Sequence, residues 1–387
     1  MRVFDLLGCR ALMLGAVLLT SGYGQAFQDP TQVAAAKSEL MLLSPLTAVT
    51  TAGKRTIAVG QRGHIAVSDD GGQNWQQASV PVSSDLVAVS FVGDLHGWAV
   101  GHGGIVLHSQ DGGLSWELQL EGNETARLIL EYYSDKNRGG ALENAQMFLE
   151  REEVLQSYGG TQPLMAVHFT DEKTGYVVGL FNRILKTVDG GKTWEPWQHR
   201  IDNPNELHFY SIGADDQALY ITGEQGMVWR LGKGAQRFVA IPTGYAGTLF
   251  GSVSDGRVLI AFGMRGSVYR SADLGATWQR IEVDTQAGIT AGIYLETGQF
   301  VLGSLAGEVA LSSDGGKTFE SVGLKKTMPL FGLTALPGGN LTLVGATGVQ
   351  REALVLKALD GAGSSALVKS LANPHTTYLG VGHGRID

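Results

Sequence analysis

Cysteine is almost missing from the chain, and this scarcity narrows the chemistry that the sequence can support. The 387 residues include a single cysteine, Cys9, close to the N-terminus. A mature chain without that segment has no disulfide, no thiol nucleophile and no cysteine-ligated metal site. Its fold must therefore be held together by packing and hydrogen bonds.

An excess of positive charge and long apolar runs are missing as well. The formal net charge is −8, which argues against a nucleic-acid groove, because such grooves need clustered Lys and Arg side chains. After the N-terminal region, no segment is apolar enough to span a bilayer, so no transmembrane segment is predicted in the mature chain.

Familiar catalytic motifs are also missing. The sequence has no His-Glu-x-x-His, no Gly-x-Ser-x-Gly and no P-loop, and its nine histidines are scattered. We therefore predict no catalytic residue, no cofactor and no metal site.

The N-terminus has the organisation of a targeting segment. Arg2 and Arg10 stand before or beside an apolar run over residues 11–19, and small residues follow at 24–26. This order predicts a signal peptide over residues 1–26 and a periplasmic or secreted mature protein. An uncleaved interfacial helix is the alternative.

Glycine, in contrast, is abundant, with 55 residues, and it marks an internal repeat. Each copy has a short apolar run, two glycines a few residues apart, a short strand, an Asp-Gly-Gly-like turn and an aromatic residue. Five strong copies end at Trp75, Trp116, Trp194, Trp278 and Phe319. Weaker copies cover residues 221–238 and begin again at residue 343.

The spacing of the repeated aspartates determines the number of units. These are Asp70, Asp111, Asp189, Asp273 and Asp314, with gaps of 41, 78, 84 and 41 residues. The 84-residue gap holds two periods, and the 78-residue gap holds one period and an insertion. We therefore predict an all-β, seven-bladed β-propeller over residues 27–387, with four short strands per blade and an insertion between blades two and three. An open solenoid is the alternative.

The Ser/Thr-x-Asp-x-Gly-x-Thr-Trp element resembles the Asp-box, or BNR repeat, of sialidases and other propellers. An aspartate in such a turn accepts hydrogen bonds from nearby backbone N–H groups, and the following aromatic residue packs over the turn. Each turn has too few carboxylates to bind calcium. The expected structural pairs are Asp70 with Trp75, Asp111 with Trp116, Asp189 with Trp194, Asp273 with Trp278, and Asp314 with Phe319.

The complete unit, with Val-Gly-x-x-Gly before the Asp-box, resembles the photosystem II stability and assembly-factor family from about Leu46 to Leu356. The resemblance implies a non-catalytic scaffold that binds a protein partner during assembly of a membrane complex. A glycan-binding or sialidase-like propeller is the alternative. The Arg-Ile-Pro element that the sialidase resemblance requires is absent, and the nearest strings begin at Arg183 and Arg280.

Propeller topology predicts where a partner binds. The turn between the second and third strands of a blade lies on the same face as the link to the next blade. Arg62 and Arg265 occupy the same repeat position there, and such arginines can hold a carboxylate or an acidic peptide. Solvated turn residues are the alternative. The predicted partner-binding residues in these turns are Arg62, His102, Asn182, Arg183, Gln225 and Arg265.

The insertion, residues 122–160, changes from an alternating to a helical pattern. Helices are expected over residues 125–133 and 141–157, with a bend at Gly139 and Gly140. Its acidic surface, with Tyr132 and Tyr133, is predicted to bind the protein partner of a monomeric scaffold. A helical hairpin that only caps the propeller is the alternative.

Overall fold

The computed structural model describes residues 28–157, 161–336 and 339–353. The predicted signal peptide lies outside these residues. Within them, 27 strands form seven consecutive antiparallel sheets. The innermost strand of each sheet contacts the innermost strands of both neighbours, and the last sheet contacts the first. The predicted seven-bladed β-propeller is confirmed.

Each blade takes its strands in chain order, from the central channel outward. Blade 1 consists of β1 Leu46–Ala52, β2 Arg55–Gly60, β3 Ile65–Ser68 and β4 Gln76–Gln77. Blade 2 consists of β5 Leu86–Val92, β6 His96–Gly101, β7 Val106–Ser109 and β8 Glu117–Leu120. Blade 3 consists of β9 Leu164–Phe169, β10 Gly175–Gly179, β11 Ile184–Thr187 and β12 Glu195–Pro196. Blades 4 and 5 are β13 Phe209–Ala214, β14 Ala218–Gly223, β15 Val228–Gly232 and β16 Val239–Ala240; and β17 Leu249–Ser254, β18 Leu259–Gly263, β19 Val268–Ser271 and β20 Gln279–Ile281. Blades 6 and 7 are β21 Ile289–Tyr294, β22 Phe300–Ser304, β23 Val309–Ser312 and β24 Glu320–Val322; and β25 Leu330–Leu336, β26 Asn340–Gly345 and β27 Gly348–Ala353.

Blade 7 therefore has three strands among the described residues, and no described strand is exchanged between blades 1 and 7. Side chains close the ring instead. Leu46 and Val49 of β1 pack with Val344 of β26 and with Met41, which lies in a short 3₁₀ turn before β1. The segment before that turn runs along blades 1 and 2, where the Ala35 N–H donates to the Val80 carbonyl.

Apolar side chains fill the spaces between blades, because the second strands are buried on both faces. Between blades 2 and 3, the Trp98 ring stacks on the Phe169 ring with centroids 3.5 Å apart. Trp194 meets the edge of the same phenylalanine. This double-sided burial explains the nearly continuous apolar runs in the sequence.

The first glycine of the repeat lets two segments of backbone meet at close range. A Cβ at Gly345 would lie 2.0 Å from the Pro329 carbonyl oxygen, which belongs to the link that enters the blade. The N–H of the next residue, Ala346, donates to that same carbonyl at 3.0 Å. Equivalent bonds occur in all seven blades: Gln61 to Pro45, His102 to Asp85, Leu180 to Pro163, Glu224 to His208, Met264 to Thr248, Leu305 to Gly288 and Ala346 to Pro329.

The five Asp-box aspartates close the turns between third and fourth strands. In blade 2, Asp111 accepts hydrogen bonds from the N–H groups of Leu114 and Ser115 and from the hydroxyls of Ser109 and Ser115. Asp189, Asp273 and Asp314 likewise accept from two hydroxyls and from the N–H four residues on. At Asp70 the side-chain amide of Asn74 replaces the second hydroxyl. These carboxylates therefore serve as hydrogen-bond acceptors within their own turns.

The aromatic residues of the boxes divide into two groups. The indole N–H groups of Trp75 and Trp116 donate to carbonyls of their own turns, those of Gly72 and Gly113. The buried indole nitrogens of Trp194 and Trp278 have no such partner among the described residues, and Phe319 has no N–H to donate. The hydrogen bond from the indole to its own turn is therefore not common to all five boxes.

The insertion forms two helices, α1 Gly122–Ser134 and α2 Ala145–Ser157, with a 3₁₀ turn at Gly139–Ala141 between them. The predicted bend lies in that turn. Residues 158–160, the end of the predicted insertion, lie outside the described residues. Ile129 of α1 and Phe148 of α2 join the apolar cluster that fills the space between blades 2 and 3.

We expect Asp111→Ala to lower the free energy of unfolding by about 2 kcal/mol, because four donors to a charged group lose their acceptor. Urea denaturation followed by tryptophan fluorescence measures the change. The control is Asp216→Ala, an exposed aspartate between β13 and β14, for which a change within about 0.5 kcal/mol is expected. Equal effects of the two substitutions would contradict the structural role of the box.

Acid should destabilise the propeller through the same turns. Hydrogen bonds from the N–H and side-chain amide of Asn74 lower the pKa of Asp70 to about 2, and those from the hydroxyl and N–H of Thr277 lower the pKa of Asp273 to about 2. An unfolded aspartate has a pKa of about 3.9, so this stabilisation is complete above about pH 4 and is lost as the pH falls through about 2.

The measurement is the melting temperature between pH 6 and pH 2, which we expect to fall most steeply below about pH 4. The variant Asp70→Asn/Asp273→Asn should be less stable at pH 6 and should lose less of its melting temperature in the acid range. A variant whose profile parallels that of the wild type would show that these two carboxylates do not control acid stability.

Candidate binding face at the channel mouth

The link to each blade and the turn between its second and third strands lie on one face, because the hydrogen bond described above joins them in every blade. We call this surface the turn face. The Asp-box turns lie at the opposite ends of the third strands and form the other face. The turn face therefore presents residues from all seven blades around one end of the channel.

Arg62 and Arg265 are equivalent in structure as well as in sequence. Both are exposed, and both have left-handed backbone angles, with φ of 56° and 57°. Among the described residues, neither guanidinium lies within 4 Å of a carboxylate. They belong to blades 1 and 5, so they lie on opposite sides of a seven-membered ring.

His102 and Gln225 are exposed at the corresponding turns of blades 2 and 4. Gln225 shares the left-handed backbone angle, with φ of 55°. In blade 2 this second position is Gly103, and His102 precedes it. The structure thus places four of the predicted partner-binding residues on the accessible turn face.

Two other predicted residues of these turns need correction, because their side chains are buried. Asn182 occupies the place of the second repeat glycine with φ of 56°, and its side-chain oxygen accepts from the amide of Asn203. Arg183 lies one position past the turn, where blade 2 has the buried Ile105, and it is 4% exposed. Neither side chain is exposed on the turn face.

Tyr132 and Tyr133 need the same correction. They lie on the inner side of α1, with exposed fractions of 7% and 1%. The Tyr132 hydroxyl donates to Glu195 at 3.1 Å, and the Tyr133 hydroxyl lies 3.0 Å from His199 Nδ1. Burial raises the pKa of both phenols, so they remain neutral inside the contact between α1 and blade 3.

A buried ion pair fixes α2 to blade 3. The guanidinium of Arg183 lies 3.1 Å from one oxygen of Glu152 and 3.2 Å from the other. Both side chains are about 5% exposed or less. Next to this pair, Arg151 of α2 contacts Glu206 in the link between blades 3 and 4. The insertion therefore covers the turn of blade 3 and leaves the turns of blades 1 and 5 open.

A ring of seven side chains forms the mouth of the channel. They are the second residues of the inner strands, and a register shift follows the first residue of each of these strands. Together with further residues beneath, they line a cavity of about 290 Å³, and no charged side chain is among the lining residues. The ring consists of Thr47, Val87, Met165, Tyr210, Phe250, Thr290 and Phe331.

A known protein family matches most of the blades described above. The family described as photosynthesis system II assembly factor YCF48 matches residues 44–124 and 155–308, which is more than half of the chain. The chain belongs to the YCF48 family. The unmatched stretch between the two segments contains most of α1 and α2.

Curated members of the YCF48 group share limited stretches with the chain. The photosystem II assembly lipoprotein Ycf48 of Synechococcus sp. strain CC9902 is 26% identical over 184 residues, 46% of this chain and 55% of that protein. The chloroplastic photosystem II stability/assembly factor HCF136 of Oryza sativa subsp. japonica is 28% identical over 174 residues, 36% of this chain and 39% of that protein. The matched part thus spans about half of these relatives or less.

Solved YCF48 structures share the fold. One described as YCF48 bound to D1 peptide has a TM-score of 0.60 at 16% identity, covering 85% of this chain and 98% of that chain. YCF48 from Cyanidioschyzon merolae has a TM-score of 0.59 at 16% identity, covering 83% and 98%.

Two further observations concern residues 28–157, 161–336 and 339–353. No group of three or more His, Cys, Asp or Glu side chains there is arranged to hold a metal ion. No helix in those ranges is both long enough and apolar enough to cross a bilayer.

The contact between α2 and blade 3 should depend on the buried ion pair. We expect Glu152→Ala to destabilise the protein by about 3–5 kcal/mol, because Arg183 would remain buried without a counterion. Urea denaturation monitored by circular dichroism measures the loss. The neighbouring, exposed Glu153→Ala is the matched control and should change stability by less than about 0.5 kcal/mol.

Replacing both partners, as in Glu152→Leu/Arg183→Met, should recover most of that stability, because no buried charge is left unpaired. A Glu152→Ala protein as stable as Glu153→Ala would show that the ion pair does not hold the insertion.

Proposed function

We propose that the chain is an exported, non-catalytic and monomeric scaffold that binds an extended segment of a protein partner across its turn face, in the assembly of a membrane-associated complex. The observation that carries this proposal is the pair of exposed arginines, Arg62 and Arg265, on opposite sides of the open mouth without a carboxylate partner among the described residues. A guanidinium presents paired donors to a carboxylate, so these residues can hold acidic side chains of a segment that crosses the channel.

The comparisons support a protein partner. The relatives carry names of photosystem II assembly factors, and one structure with the same fold is described with a bound peptide. For this chain, the corresponding partner is an extended peptide segment of a membrane-complex subunit. The predicted signal peptide over residues 1–26 supports an exported location for that encounter.

The glycan-cleaving alternative is not favoured. The Asp-box carboxylates accept hydrogen bonds from their own turns, so they are structural groups rather than free acids and bases. The channel mouth has no charged lining, whereas glycosidases of the usual kind need two carboxylates at the scissile bond.

Charge reversal on the turn face tests the proposal. We expect Arg62→Glu/Arg265→Glu to weaken binding of an acidic peptide by at least about tenfold, because two charge-assisted contacts become repulsive. Fluorescence anisotropy with a labelled peptide rich in Asp and Glu measures the affinity at low and moderate salt. The wild-type affinity should fall with salt, whereas the residual binding of the variant should not.

A matched control is available on the other face of the same two blades. Lys54 and Arg257 are exposed in the turns between first and second strands of blades 1 and 5, so Lys54→Glu/Arg257→Glu makes an identical change in charge there. This control should bind like the wild type. Equal losses in the two variants would mean that net charge, and not the turn face, governs binding.

A further inference from the structure

We infer that the channel mouth binds one large apolar side chain of the partner segment, at a place in that segment flanked by the acidic residues that Arg62 and Arg265 hold. This inference rests on the proposed function and names the chemistry of its partner more closely. The occupant is therefore an extended peptide with a Phe-, Trp- or Leu-sized residue next to carboxylates.

The lining of the mouth selects against charge. Its large side chains are Met165, Tyr210, Phe250 and Phe331, and no acid or base is among the lining residues. Burial, and then the Glu224 carboxylate, raise the pKa of Tyr210, so its phenol stays neutral. A charged side chain would lose its hydration there without gaining an ionic partner.

The two threonine hydroxyls in the ring already make hydrogen bonds within the fold. Thr47 and Thr290 donate to carbonyls at the start of the next blade, those of Leu86 and Leu330, at 2.6 Å in both cases. Ser211, beneath the ring, shares a hydrogen bond of 2.7 Å with Thr222. These three hydroxyls therefore bond within the protein, and of the ring residues only Tyr210 has a further hydroxyl. Most of the lining offers apolar contact.

The size of the cavity fits one side chain. A cavity of about 150 Å³ holds benzene, whereas sites for drug-sized ligands begin at about 300 Å³. The 290 Å³ of the mouth accommodates one large side chain and part of the backbone that presents it. The Tyr210 and Phe250 rings of adjacent blades meet edge to face with centroids 6.0 Å apart, an arrangement ready for a further ring.

The apolar surface continues outward towards Arg265. Leu305, at the turn of blade 6, is 40% exposed, and its side chain approaches Gly288 at the same spot as the Phe250 ring. Met264, which precedes Arg265, is 39% exposed. The turn face is not uniformly basic, since Asp85 accepts the backbone N–H of Arg62. Contact with the exposed Leu305 and Met264 side chains adds a selectivity among acidic segments that attraction to the arginines alone does not provide.

Selection from a random peptide library displayed on phage tests the inference, with wild type, Val87→Phe and Val87→Thr as targets. Phe occupies the position of Val87 in blades 5 and 7, and Thr occupies it in blades 1 and 6, so both variants suit the blade geometry. Val87→Phe reduces the free volume of the mouth, whereas Val87→Thr preserves it. Thermal melts confirm that the variants are folded.

We expect the wild type to enrich peptides with one large apolar residue beside Asp or Glu. Binding of the selected peptide, measured by anisotropy, should weaken by about tenfold or more in Val87→Phe and should remain close to wild type in Val87→Thr. Changing the apolar residue of the peptide to Ala should cost the wild type a similar factor, a test that needs no protein variant.

The outcomes separate the two proposals. Acidic peptides that lack a recurrent apolar residue, or that bind Val87→Phe as tightly as the wild type, would overturn the inference while the role of Arg62 and Arg265 stands. A library that yields no peptide would overturn both. Stabilisation of the wild type, but not of Val87→Phe, by myristic acid without any selected peptide would assign the mouth to a lipid tail and reject the peptide.

Discussion

One hydrogen bond organises the turn face: the bond from the residue after the first repeat glycine to a carbonyl of the incoming link. In six blades the glycine at that position has no Cβ to strike the carbonyl. The bond recurs in blade 6, where Ser304 stands at the same position. The contact draws the link over the blade. The register shift beside it turns the second residue of every inner strand towards the channel.

The two faces of the propeller differ in how their polar side chains are used. On one face, the Asp-box carboxylates are consumed by their own turns and contribute only to stability. On the other, backbone groups hold the links, so side chains such as Arg62 and Arg265 are left for solvent or for a partner. The insertion covers one part of that second face through its buried ion pair with Arg183.

The fold was predictable because its signals are local. The spacing of the aspartates counts the blades, and each Asp-box closes with neighbours a few residues away. The equivalence of Arg62 and Arg265 follows from the same period. Burial of Arg183 was not predictable, because it depends on Glu152 of α2, which lies apart in sequence and pairs with it only after folding. Asn182 likewise meets its partner, Asn203 of the link between blades 3 and 4, only in the folded chain.

The mouth was missed for a related reason. Its side chains come from strands about 40 residues apart, and they meet only when the ring closes. Each is an ordinary residue in an apolar strand, so no single blade reveals it. The available signal is positional: the second residue of every inner strand can be collected from the repeats and compared as a set.

At the second residue of each inner strand, the side chain varies from blade to blade while the backbone geometry stays constant. The backbone that presents each of the seven residues is held by main-chain hydrogen bonds, so Thr, Val, Met, Tyr and Phe are all accommodated there by the same scaffold. The mouth thus consists of seven variable side chains presented by a constant backbone. Single substitutions at these positions can retune which surfaces it accepts, blade by blade, while the scaffold keeps its stability.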